Sequence, residues 1–256
     1  MPPGRKAFLE EMVRLAISDG PDVLCLQELP VWALGELQGW SGMTAVTDVA
    51  QRPTLGPFPS AARVGRVLTD LHHGLLRSAF SGQGNAILLG SRLHVLTHRH
   101  VVLNPLSFRR YRGRRLGLGL VARLVWGKER RVCQAVRVRE AGRTLVIGNL
   151  HATGYRADKR LPDAELLRAA SFVDGLAEPG EGVLLCGDFN VDVRTSRTLA
   201  ELCRSEWGFS GPTLTGVDHV LSRGLRASDP ERWPAIRRTW NGRLLSDHAP
   251  VEREIE

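Results

Sequence analysis

Residues 182–190 read GVLLCGDFN, an unbroken apolar run that stops in an aspartate and, two residues later, an asparagine. A run this short and this apolar reads as a β-strand covered on both faces. A carboxylate at the edge of such a strand is costly unless it is paired. The same construction recurs along the chain. Val23–Leu26 runs into Gln27 and Glu28, NLH puts Asn149 and His151 at another strand end, VDHVL opens with Asp218 and His219, and Ser246, Asp247 and His248 precede the last apolar stretch. Convergence of these strand ends on one site is the common cause that explains the repetition.

Outward from these points, apolar spacing predicts a first helix from Phe8 that stops at Asp19-Gly20-Pro21, an amphipathic helix over Lys159 to Leu176, and another over Thr198 to Trp207. Strands are expected at Val23–Leu26, Ala86–Leu89, Leu93–Leu103, Leu118–Trp126, Arg131–Arg139, Arg143–Leu150, Gly182–Cys186, Val217–Leu221 and Ala249–Ile255, with a hairpin at Glu140-Ala141-Gly142. Residues 38–82 are rich in Gly, Pro, Thr and Ser and show little periodicity apart from a short helix around Val64 to Leu71. No linker or repeat divides the sequence, so residues 1–256 are expected to form a single α/β domain with a mostly antiparallel, two-layered sheet.

Composition agrees. Of 256 residues 43% are hydrophobic, which excludes disorder, collagen-like repeats and fibres. No apolar run approaches the roughly 20 residues of a membrane span, and the start MPPGRKAFLEEM lacks the order of a signal peptide. A soluble, cytoplasmic protein without a transmembrane segment, a monomer, is expected. Cys25, Cys133, Cys186 and Cys203 have no C-x-x-C pairing and read as reduced structural thiols. The net charge of +8 leans toward phosphate-bearing partners, although an excess carried almost wholly by arginine equally fits a GC-rich genome.

The polar strand ends suggest a chemistry. Glu28, Asp188 and Asp247 offer hard oxygen ligands with no Cys or His pair at zinc spacing, which favours Mg²⁺ or Mn²⁺. His151 and His248 can donate to phosphate oxygens. Asp188 and Asn190 fall on one side of an extended segment, where one can act on water and the other on phosphate. These parts suit metal-assisted phosphoester hydrolysis. Each alone has a plainer reading: Gln27-Glu28 as a cap, Asp-Phe-Asn as an Asx-turn, His151 as a structural histidine. The ordered series carries the argument.

That series, QE, GNAIL, NLH, GDFN, VDHVL and SDHAPV, resembles the endonuclease/exonuclease/phosphatase superfamily, from about Phe8 to the C-terminus. The resemblance implies a four-layered α/β sandwich of the DNase I-like type, two mostly antiparallel sheets flanked by helices, with the site along one edge. It implies Glu28 as principal metal ligand and Asp247 as a second carboxylate at or near the metal. Asp188 would align or activate water, Asn190 would hold the phosphate and His151 would contact a phosphate oxygen. Asp218 would pair with His248, and Asn85 of GNAIL and Asn149 of NLH would support the substrate. Family members also begin with a strand ending in an asparagine, and only MPPGRKA precedes the first helix here. Either translation starts upstream of Met1 or the chain lacks that strand. The former is expected, because deleting a central strand leaves backbone groups unpaired, and an extended form should then be more stable or more active.

Substrate identity is not carried by these motifs. The segment Phe108–Arg115, FRRYRGRR, reads as a basic loop whose Arg109 and Arg112 could track a nucleic-acid backbone while its aromatics stack on bases, or simply as a solvated loop. A nuclease is the first expectation. An inositol-phosphate phosphatase or phospholipid phosphodiesterase is an alternative, and so is a non-catalytic phosphate-binding or nucleic-acid-binding module. His72, His73, His94, His98 and His100 match no motif and read as surface or structural residues, and His219 should point away from the site.

Overall fold

The computed structural model describes residues 8–55, 58–61, 64, 66–67 and 81–256. The segment MPPGRKA, on which the question of a first strand turns, lies outside them, as do His72, His73 and most of the helix expected around Val64 to Leu71. The chain packs as two compact units: Met1–Leu93 with Trp233–Ala249, and His94–Arg232 with Pro250–Glu256.

The first unit comprises α1 (Leu9–Ala16), β1 (Val23–Leu29), α2 (Leu37–Ser41), β2 (Thr44–Gln51), the short ribbon β3 (Thr54–Leu55) and β4 (Phe58–Pro59), β5 (Gln83–Leu89), and the ribbon β12 (Thr239–Trp240) and β13 (Arg243–Leu244). Its main sheet has the order β1-β5-β2, antiparallel throughout. β5 holds the centre and is buried at all seven residues, while β1 flanks it and is largely half-buried. The expectation that Val23–Leu26 is covered on both faces therefore needs correction: the apolar runs Val23–Leu26 of β1 and Ala86–Leu89 of β5 look alike, and in this sheet only the central strand is fully enclosed. Val13, Leu37, Ala86 and Leu88 join α1 and α2 to one face of the sheet. β2 fills part of the stretch for which periodicity suggested nothing. Its residues TAVTDVAQ are rich in β-branched side chains, the feature that suits a pleated surface.

The second unit comprises β6 (His94–Val102), α3 (Leu106–Arg115), α4 (Leu120–Lys128), β7 (Val132–Glu140), β8 (Arg143–His151), α5 (Arg160–Asp174), β9 (Gly182–Asp188), α6 (Arg197–Leu202), β10 (Asp218–Arg223), β11 (Glu231–Arg232) and β14 (Val251–Glu252). Its five-stranded sheet runs β10-β9-β8-β7-β6. Only β8 and β9 are parallel, and α5 makes the crossover that a parallel pair requires. Leu166, Ala169, Ala170 and Val173 of α5 close the core over Val146, Leu150, Val183 and Leu185. Gly187 has φ 129°, and a Cβ there would lie 2.0 Å from the Leu150 carbonyl oxygen, so only glycine lets β9 end against β8.

Two segments correct the expectations. Leu118–Trp126, expected as a strand, belongs mostly to helix α4, whose buried Ala122 and Trp126 lie four residues apart, with Leu118 just before the helix packing in the same cluster. The arginine-rich loop is helix α3, since arginine is a good helix former and Tyr111 and Arg115 pair at i, i+4. The last two expected elements are shorter than their patterns. α6 stops at Leu202, and β14 spans two residues because Arg253 turns to the carbonyls of Ser210, Val220 and Ser228. The expected α/β class, with sheets flanked by helices, is observed. Among the described residues no helix is long and apolar enough to cross a membrane.

Candidate active site

Strand register brings the polar ends of the second unit together. Parallel pairing sets His151 of β8 opposite Asp188 of β9, and antiparallel pairing sets Asp218 of β10 opposite the same aspartate. Asp188 is 7% exposed and His151 5%, with 3.6 Å between His151 Nε2 and Asp188 Oδ2. A carboxylate oxygen of Asp218 lies within 4.8 Å of one of Asp188, a spacing at which two hard oxygen donors can share a cation.

Asn190 turns the strand end into a rigid cradle. Its φ of 53° is a left-handed value that asparagine tolerates. In that conformation its backbone N–H donates to Asp188 Oδ1 at 2.9 Å, and its Nδ2 donates to Asp188 Oδ2 and to the Ala152 carbonyl, both at 2.9 Å. Both amide hydrogens are thereby engaged, so Asn190 braces the aspartate and ties β9 to β8. A Cβ at Gly154 would stand 3.2 Å from Asn190 Oδ1, which explains a glycine beside this brace.

Beneath the cradle, His219 faces the opposite way from Asp218, as alternation demands. Its Nδ1 accepts from the Thr213 N–H at 3.0 Å, so Nε2 carries the proton and donates to the Val191 carbonyl at 2.9 Å. Burial pushes the His219 pKa down, partly countered by the Val191 bond and by Asp218 and Asp192. The ring packs 5.0 Å from Phe189 and holds the GDFN loop from behind.

Three partners come from places where sequence alone showed no motif. Arg131 is 7% exposed, ion-paired with Glu129, and its Nη1 lies 2.7 Å from Nδ1 and 2.8 Å from Nε2 of His151. Lys159 donates to the Asn190 carbonyl at 2.8 Å. Glu165 of α5 is fully buried and accepts from Trp126 Nε1 at 2.6 Å, the Thr153 N–H at 2.6 Å and the Thr153 hydroxyl at 2.7 Å. Desolvation raises its pKa, against the pull of those three bonds and of Arg131. It fixes the chain two residues beyond His151. Asn149 is wholly buried in β8, in register with Gln134 and Cys186. Arg109 donates to the Asn104 carbonyl at 2.9 Å and lies over Gly127, so it holds the α3–α4 pair together, and Arg112 is half-buried on α3.

The candidates of the first unit stand differently. Glu28 is exposed, lies where the β1–β5 register shifts between Leu26 and Leu29, and has φ 56°. A glutamate in the left-handed region is strained, and such residues concentrate at functional positions. Asn85 is buried in β5, in register with Asp48. Asp247 and His248 are exposed on a turn whose Ser246 and His248 carbonyls accept from Arg238 Nη1 at 2.7 and 3.1 Å.

Comparison with known proteins gives the family. The model of the Endonuclease/Exonuclease/phosphatase family matches residues 2–248. The chain belongs to this family. Solved structures similar to this family member include an endonuclease/exonuclease/phosphatase from Bacteroides vulgatus (13% identity, 96% of this chain and 90% of that one, TM-score 0.64). The human Nocturnin catalytic domain with bound sulfate anion is also similar (14%, 96% and 87%, TM-score 0.64). So is a mannosyl-6-phosphatase from Bacteroides thetaiotaomicron VPI-5482 (13%, 96% and 90%, TM-score 0.60). At these identities the likeness shows the fold. No curated protein matches the sequence. Within the fold, the family's GDFN, NLH and VDH segments are the ones that register brings together at Asp188.

Proposed function

We propose that this family member is a metal-dependent phosphoester hydrolase and that its substrate is a nucleic-acid phosphodiester. The observation that carries the hydrolase reading is Asp188, buried between His151 and Asp218 and locked by both donors of Asn190. Asp188 and Asp218 are hard donors close enough to share Mg²⁺ or Mn²⁺, and by the family resemblance Glu28 would be the principal ligand and Asp247 a further one. A bound divalent cation would polarise a phosphoryl oxygen and stabilise the leaving oxyanion.

The protein's own groups do the rest. The Asp188 carboxylate, aimed by its bonds to Asn190, would align water and take its proton. Asn190 aims Asp188 and can reach a phosphate only by releasing the Ala152 carbonyl. His151 would hold a phosphate oxygen, and by the family resemblance Asp218 would pair with His248. Asn85 and Asn149 support the site from β5 and β8. Nucleic acid is favoured by the +8 net charge and by Lys159 beside the cradle. A second reading, a phospholipid or inositol phosphate, shares the phosphoester chemistry, and the exposed aliphatic face of α4 favours its lipid form.

The test is a panel of DNA and RNA, phospholipid, and inositol polyphosphate with Mg²⁺ or Mn²⁺. Cleavage of nucleic acid that EDTA abolishes is expected. Cleavage of phospholipid or inositol phosphate alone selects the second reading. Inertness toward all three, with DNA binding that survives EDTA, makes the chain a binding module.

A further inference from the structure

Outside the site, the most unusual surface is the helix pair α3–α4. Ala122 and Trp126 of α4, with Leu118 just before it, pack with Leu161 and Ala164 of α5, and the Trp126 indole donates to Glu165. α4 is therefore fastened to the body of its unit. Its other face is aliphatic: Leu120 is 74% exposed, Val121 66% and Leu124 67%, at positions i, i+1 and i+4 that adjoin on a helix. Single exposed leucines are ordinary, but three adjoining on one short helix make a patch that calls for a partner. On α3, Arg110, Tyr111, Arg114 and Arg115 are exposed.

Charge selects the partner. Residues 105–128 hold six arginines and one lysine and no aspartate or glutamate. A two-fold contact between copies would set cation against cation. A nucleic-acid backbone would pair the arginines but leave the leucines without an apolar counterpart. A membrane interface with anionic headgroups offers both, acyl chains for the aliphatic face and phosphates for the guanidinium groups, whose stems can follow the apolar surface.

We propose that α3–α4 is a docking surface for an anionic lipid bilayer, with Leu120, Val121 and Leu124 entering the interface and Arg110, Arg114 and Arg115 on the phosphates. The Trp126–Glu165–Thr153 bonds join this surface to the strand end that carries His151, so docking presents the site at a fixed attitude to the bilayer. The inference concerns binding alone and stands whichever phosphoester is cleaved.

The full chain is tested by co-sedimentation with vesicles of phosphatidylcholine and phosphatidylglycerol in equal parts, beside phosphatidylcholine vesicles. Sedimentation with the anionic vesicles alone is expected. Leu120→Ser with Leu124→Ser, and separately Arg110→Gln with Arg114→Gln, should each weaken partition at least about tenfold. Thermal unfolding should match the wild type, since these side chains are exposed. Equal partition of the leucine variant and wild type, or no partition at all, overturns the proposal. So does a solution dimer lost in the leucine variant, which makes a second copy the occupant, or duplex DNA binding that the leucine variant loses in parallel with vesicle binding.

Discussion

Two strand ends that look alike in sequence, VLCL-QE and VLLC-GDFN, are held by opposite means. After β9, Asp188 is buried and accepts two hydrogen bonds from Asn190, whose left-handed conformation is one asparagine tolerates. After β1, Glu28 is exposed on a bulged strand and carries backbone strain that no glutamate prefers. One carboxylate is braced by an asparagine in a conformation that asparagine tolerates, and the other sits on a backbone conformation that disfavours its residue type. Removing the first should therefore cost both stability and activity, whereas replacing the second with glycine should cost activity while relieving strain.

The sharpest way to break that contrast is Asp188→Ala. It should lower turnover about a thousandfold and, by leaving the Asn190 donors unpaired, cost about 1–3 kcal/mol in denaturant unfolding. Glu28→Gly should also remove turnover, yet raise stability by about 0.5–1 kcal/mol, because glycine adopts the left-handed conformation without strain. A loss of stability in Glu28→Gly would mean that the contacts of the carboxylate outweigh the relief of backbone strain.

Smaller effects sharpen the same picture. Glu165→Gln places an amide N–H against one of three donors, so it should destabilise by about 1–3 kcal/mol and reduce turnover without abolishing it. The least effect is a pH dependence. His219 is neutral and its pKa is held below the unfolded value, so the unfolded chain binds a proton first as pH falls. Stability should accordingly decline as pH drops below about 6.5, and His219→Gln should lose that part of the decline in unfolding measured across pH 5 to 8.

The polar strand ends were legible because each follows a short apolar run, and the register of β8, β9 and β10 explains why their order mattered. What sequence could not supply were the contacts of Arg131 with His151, Lys159 with Asn190 and Glu165 with Trp126, which span 20, 31 and 39 residues. Helix α4 was unreadable for a physical reason. Leu120, Val121 and Leu124 face outward, so aliphatic residues occupy both sides and the contrast on which periodicity depends is lost. β2 lacked contrast too, since nearly all of it is half-buried. Burial also separated β1 from β5, two apolar strands that composition alone could not rank.

The most direct test of the account is the rate of phosphodiester hydrolysis as Mg²⁺ or Mn²⁺ is titrated back into protein stripped with EDTA, with Asp188→Ala alongside. The account predicts that the rate rises from background with added metal in the wild type and stays at background in the variant. A wild-type rate that is indifferent to metal, or a variant that recovers with it, would contradict the account.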